Sequence, residues 1–143
     1  MDDGKTLLQH LLSRMDPRIK LELDAYWAVR GGTDPAAWIR ELGSRCDIVH
    51  LKDLPRAVQP VNVFDIYGKS YYIGMTELLE LAEPSLYTEL GCGTLPITDI
   101  LDALEANGGG SVFVEQDQSL LPELESIAVS GKYLSELLSN KGG

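Results

Sequence analysis

Three short segments constrain this chain more than any other feature, because each alternates apolar and polar residues with a period of two. They are Leu21-Glu22-Leu23-Asp24, Ile48-Val49-His50-Leu51-Lys52 and Val112-Phe113-Val114-Glu115-Gln116-Asp117. Such alternation predicts strands, with successive side chains on opposite faces. Ile19, Leu21 and Leu23 share one face of the first, and Glu22 and Asp24 the other. Val49 and Leu51 oppose His50 and Lys52; Val112 and Val114 oppose Glu115 and Asp117. Asp24, His50 and Glu115 therefore fall near the C-terminal ends of three strands, on the less apolar face. An O, N, O set of this kind suits a divalent cation.

The intervening stretches read as helices. Leu7, Leu8, Leu11 and Leu12 fall on one helical face ahead of the first strand. After Gly31-Gly32, Thr33 or Asp34 caps a helix with Pro35 in its first turn, Trp38, Ile39 and Leu42 on its apolar face, and Gly43 as its stop. Pro96 opens another, with Ile97, Ile100, Leu101 and Leu104 at helical spacing and Asn107-Gly108 at its end. A last helix begins near Pro122 and carries Leu124, Ile127, Leu134 and Leu138. Strands separated by helices imply parallel pairing with crossover connections, where chemistry is placed at the C-terminal strand ends.

Between Asp53 and Pro96 the rhythm breaks. Residues 61–67 and 70–73 flank Gly68-Lys69 and read as a hairpin, followed by a short amphipathic helix over 75–86. This excursion leaves the sheet at a C-terminal strand end and so can form a wall of a site. Its aromatics Phe64, Tyr67, Tyr71 and Tyr72 read first as packing for the excursion itself.

Charge narrows the partners. A formal net charge of -10 over 143 residues argues against nucleic acid and against an anionic membrane surface. No apolar run matches a signal peptide or a bilayer span. The two cysteines, Cys46 and Cys92, lie far apart without metal-ligand spacing, so free thiols in a cytoplasmic protein are expected.

Several of these segments together resemble the xylose-isomerase-like sugar phosphate isomerases and epimerases. Leu21-Glu22-Leu23-Asp24-Ala25-Tyr26-Trp27 followed by Gly31-Gly32 looks like that family's sixth strand and loop. Ile48-Val49-His50-Leu51-Lys52-Asp53 is similar to its "HLKD" strand. Glu89-Leu90-Gly91-Cys92-Gly93-Thr94-Leu95 resembles its "GEG" segment, with Cys92 where the family often has glutamate. Val114-Glu115-Gln116-Asp117 resembles its final strand, and Glu125-Ser126 with Tyr133-Leu134 its last helix.

The resemblance implies the C-terminal portion of a (β/α)8 TIM barrel, with about three strand-helix units and an inserted hairpin and helix excursion. Residues 1–143 then form one partial barrel domain with its insert at 56–90. A complete barrel takes roughly 250 residues, so the expected partner is the N-terminal barrel half, or further copies of the chain. By resemblance, Asp24, His50 and Glu115 match metal ligands, with Mn2+ or Co2+ favoured over Mg2+ by the histidine. Glu115 is also the residue expected in proton transfer. Lys52 is expected to meet a substrate anion or a carboxylate, and Trp27, placed on the loop after the first strand, to stack on substrate. Glu22 is expected to serve hydrogen bonding one layer below Asp24, and Gln116 and Asp117 to orient the ligands.

The implied activity is isomerisation or epimerisation of a sugar, sugar phosphate or related polyol, or dehydration of an inosose-type polyol. The alternative is a non-catalytic remnant or interaction module of the same fold. Taken singly, Asp24 reads as a strand-end turn residue, His50 as a satisfied core histidine, and Glu115 as an interior carboxylate paired with Lys52.

Overall fold

The computed structural model describes residues 4–60, 62–68 and 72–141. Its centre is a three-stranded parallel sheet in the order β1 (Leu21–Asp24), β2 (Cys46–Leu51), β3 (Ser111–Val114). The register sets Asp24 beside His50 and His50 beside Phe113, so the three strands end level with one another.

The alternation read from the sequence sorts the two faces. Val49 and Leu51 are fully buried on one of them, against Ile39 of α3 (Pro35–Leu42) and Ile100 and Leu104 of α6 (Ile97–Ala106). Burying each such side chain stabilises the fold by about 1.5–3 kcal/mol. Asp34 caps α3 by accepting the Ala36 and Ala37 N–H groups, and Pro35 opens it. Asn107, at the end of α6, donates to the carbonyls of Ile39 and Gly43 and so ties the two helices together. The final helix, α7 (Glu123–Lys141), lies beside β3, with Tyr133, Leu134 and Leu137 packed against the core. The opposite face of the sheet carries Glu22, His50 and Phe113, and Phe113 is 52% exposed. Parallel sheets are normally covered on both faces; this one is open on the side that a barrel would enclose.

Apolar side chains are also exposed at both flanks. In α1 (Leu7–Leu12), capped by a reciprocal Thr6–Gln9 pair, Leu7 and Leu11 face solvent. In α7, Leu124 and Ile127 do. An apolar cavity of about 620 Å3 lies between α1, β1 and α3, lined by Leu7, Leu8, Leu23, Trp38 and Phe64 among others.

Three expectations are corrected. Trp27 is not on a loop: Asp24 is at once the end of β1 and the N-cap of α2 (Ala25–Arg30), so the helix starts with no connecting residue and Trp27 lies in its first turn. The first arm of the expected hairpin is not a strand either. Asn62 caps Phe64 and starts α4 (Val63–Ile66) where the first hairpin arm was expected; Ser70 and Tyr71, in the other arm, lie outside the described residues. The following helix is shorter than expected: α5 spans Met75–Glu80, and a 3₁₀ turn covers Pro84–Leu86.

The excursion packs on α2. Tyr26 stacks on Tyr87 with ring centroids 4.9 Å apart, and its hydroxyl donates to the Leu86 carbonyl. Tyr67 links α4 to α5, its single hydroxyl proton shared between Glu80 Oε2 at 3.1 Å and the Glu77 carbonyl at 3.3 Å. Among the described residues no helix is long and apolar enough to cross a membrane.

Candidate metal centre at the C-terminal strand ends

The parallel register brings Asp24, His50 and Glu115 to one place. One ligand atom from each lies within 4.8 Å of the others. Among the described residues they are the group of acidic, histidine or cysteine side chains that could hold a metal ion.

Each member has a defined setting. Asp24 Oδ1 accepts the Trp27 N–H that begins α2, which leaves Oδ2 to face the cluster. His50 lies between two carboxylates, with Nδ1 2.8 Å from Glu115 Oε2 and Nε2 3.3 Å from Glu22 Oε1. Glu22 thus lies against His50 at ion-pair distance. Phe113 lies against the imidazole, ring centroids 5.7 Å apart. Glu115 leaves the sheet just past β3, its N–H donating to the Leu51 carbonyl.

Lys52 sits at the middle. Its residue is 1% exposed, and Nζ lies 2.9 Å from Asp24 Oδ2, 3.0 Å from Glu115 Oε2 and 2.8 Å from Asp117 Oδ2. Burial alone would lower the Lys52 pKa; the bonds to Asp117 and Asp24 outweigh it and hold it above its ordinary value. Glu115 follows the same logic with the opposite sign. Burial pushes it up, but Lys52 and His50 pull it below the usual carboxylate value. Asp24 is driven up by burial, which its bonds from Trp27 and Lys52 only partly offset. The environment therefore shifts the two carboxylates in opposite directions.

The residues fit a divalent ion on three counts. Hard oxygens with one imidazole form a suitable donor set. Glu115 Oε2 is buried and makes no hydrogen bond, although His50 and Lys52 are close. Both nitrogens of His50 face carboxylates, so the ring stands among oxygen donors that would share a cation with it.

The rim holds a residue whose role the sequence did not reveal. Asp53 is 1% exposed and its carboxylate accepts four backbone N–H groups. Oδ1 takes Leu54 and Leu95, and Oδ2 takes Gly91 and Gly93, at 2.8–3.1 Å. It thereby fastens the 89–95 loop beside Lys52. A Cβ at Gly93 would overlap Asp53 Oδ1 and the Leu54 carbonyl, and one at Gly91, whose φ is +83°, would overlap Tyr133. Cys92, between them, is exposed and free. The loop is held by Asp53 and by Glu89, which accepts from Ser119, and the Leu90 N–H donates to Ser130.

Of the other residues singled out from the sequence, Asp117 holds Lys52. Gln116 donates to the Gln118 carbonyl. Trp27 is half-buried, edge-on to Tyr26 with centroids 5.2 Å apart.

No protein-family model matches the sequence, and no curated protein sequence matches it. Among solved structures, the chain is similar to a xylose isomerase-like TIM barrel/4-hydroxyphenylpyruvate dioxygenase fusion protein, with a TM-score of 0.61 and 20% identity over 91% of this chain. The fold is that of a TIM-barrel segment. The chain spans 19% of the length of that neighbour, and at this identity the likeness is one of fold. It agrees with the three parallel strands, the helices on one face and the C-terminal placement of the polar cluster.

Proposed function

We propose that this chain is the metal-bearing part of a divalent-metal-dependent isomerase or epimerase acting on a sugar, sugar phosphate or related polyol. Its partner in that reading is the rest of the barrel, supplied by a further polypeptide segment. The observation that carries the proposal is the convergence of Asp24, His50 and Glu115 at three level strand ends. Mn2+ or Co2+ suits the imidazole better than Mg2+ does. A bound divalent ion supplies Lewis-acid polarisation of a substrate carbonyl.

The chain's own residues divide the remaining work. Glu115, held ionised by Lys52 and His50, is the group to accept a proton from the carbon next to that carbonyl and to return it. Asp24 has its orientation fixed by the Trp27 N–H. Lys52 can meet a substrate oxygen only by exchanging one of its three carboxylate partners. The 89–95 loop, fastened by Asp53 next to Lys52, would bound the substrate and exclude water, and Trp27, in the first turn of α2 after Asp24, would stack on it.

A second reading, a non-catalytic module of the same fold, draws on one observation: Lys52 forms ion pairs with Asp24, Glu115 and Asp117 without any ion. Titration calorimetry with Mn2+ separates the two. The wild-type chain should bind one equivalent, and His50→Ala should weaken binding at least tenfold. Equal affinity in the two proteins would remove the assignment.

A further inference from the structure

The cluster contains a built-in cation at the place where a metal ion would take its ligands. Asp24 has one oxygen engaged as the cap of α2, so Oδ2 is the atom left for ligation, and Lys52 Nζ is 2.9 Å from it. Glu115 Oε2 is the oxygen that faces His50, and Lys52 Nζ is 3.0 Å from that atom as well. The third partner, Asp117, belongs to no ligand set and bonds the ammonium at 2.8 Å. The lysine is 1% exposed, so it cannot swing into solvent when another cation arrives. Like charges brought this close in a partly desolvated site repel strongly.

We infer that Lys52 is an internal competitor for the divalent ion, holding Asp24 and Glu115 in the ion's absence and ceding their oxygens when it binds. The inference rests on the metal reading proposed above. Its consequence is a preformed ligand set with moderated affinity. The carboxylates stay close together without a metal because the ammonium neutralises their repulsion. Each entering ion must then displace that ammonium towards Asp117. Three carboxylates, Asp24, Glu115 and Asp117, surround this one ammonium, and Glu22 adds a fourth negative charge against His50, so negative charge remains to draw an ion in.

The test uses the full chain and Mn2+ alone, by titration calorimetry at one pH. Lys52→Met keeps an unbranched side chain of similar length and removes the charge. It should bind Mn2+ at least tenfold more tightly than wild type. The double variant Lys52→Met/Asp117→Asn leaves the net charge of the cluster as in wild type. It should still bind severalfold more tightly, which separates competition for oxygen atoms from a change of total charge. It also guards against misfolding of the single variant, because one of the carboxylates stripped of its counter-ion is gone. Equal or weaker binding by the double variant would overturn the competition. Absence of Mn2+ binding by wild type and both variants would overturn the metal reading itself, and the competition with it.

Discussion

Replacing Asp53 by asparagine removes one charge and almost no volume, so it isolates what the buried carboxylate does. The asparagine oxygen can serve one pair of donors, either Leu54 and Leu95 or Gly91 and Gly93. Its NH2 group must then face the other pair, donor against donor. Two hydrogen bonds to a charged acceptor are lost, each worth about 1.5–3 kcal/mol, for a cost of about 3–6 kcal/mol. Against the roughly 5–15 kcal/mol that holds a typical domain together, this is a large fraction. Urea unfolding followed by circular dichroism measures it. With a slope of about 2 kcal/mol per molar urea, the midpoint should fall by about 1.5–3 M. Hydrogen exchange at Gly91 and Gly93 should speed up more than exchange at Val49, in the sheet centre. A midpoint within about 0.3 M of wild type, with exchange unchanged in the loop, would refute the account of Asp53 as the fastening of the rim.

Two further outcomes are expected. Glu89 has its pKa held below the ordinary value of 4.5, since its hydroxyl partners, Ser119 first, outweigh the upward push of burial. Its contribution to stability is therefore present above that value and lost as pH falls through the folded-state pKa. Glu89→Gln should be less stable than wild type at pH 7, with the gap closing below pH 4.5; a constant gap in denaturant titrations across that range would count against it. The open sheet face, with Phe113 52% exposed, should bind an apolar dye and drive self-association at micromolar concentration. Phe113→Ser should lower both, and a clean wild-type monomer in sedimentation would contradict the exposed face.

The sheet was legible because its signal is local. Alternation in residues 21–24, 48–52 and 112–117 states which face each side chain takes, and parallel register of the strands formed at 21–24, 46–51 and 111–114 then brings the polar ends together. Asp34-Pro35 marked the start of α3 for the same reason, since a cap and its helix are neighbours in sequence. The start of α2 was missed because Asp24 is strand end and helix cap at once, with no turn residue between the two elements. Residues 62–67 looked like a strand because Val63, Phe64, Ile66 and Tyr67 favour one. The Asn62 cap and the packing of this segment overrode that preference. The ligand residues could be named beforehand, but the ring of carboxylates around Lys52 could not in full. It depends on Asp117 reaching across from β3, 65 positions away. Asp53 was quoted within a motif, yet nothing local foretells that its oxygens will reach amides up to 42 positions further on.

Because Asp53 grips the 89–95 loop entirely through main-chain N–H groups, the loop's shape is independent of most of the side chains it carries. Cys92 is the plainest case: its neighbours on both sides are pinned, while its own thiol projects into solvent. The other cysteine, Cys46, is buried, and burial pushes its thiol pKa up, which makes it slow to react. The chain thus carries a single readily addressed attachment point on the rim of its polar cluster. A reporter group coupled there would sit on a rigid support and would leave every bond that positions the cluster intact.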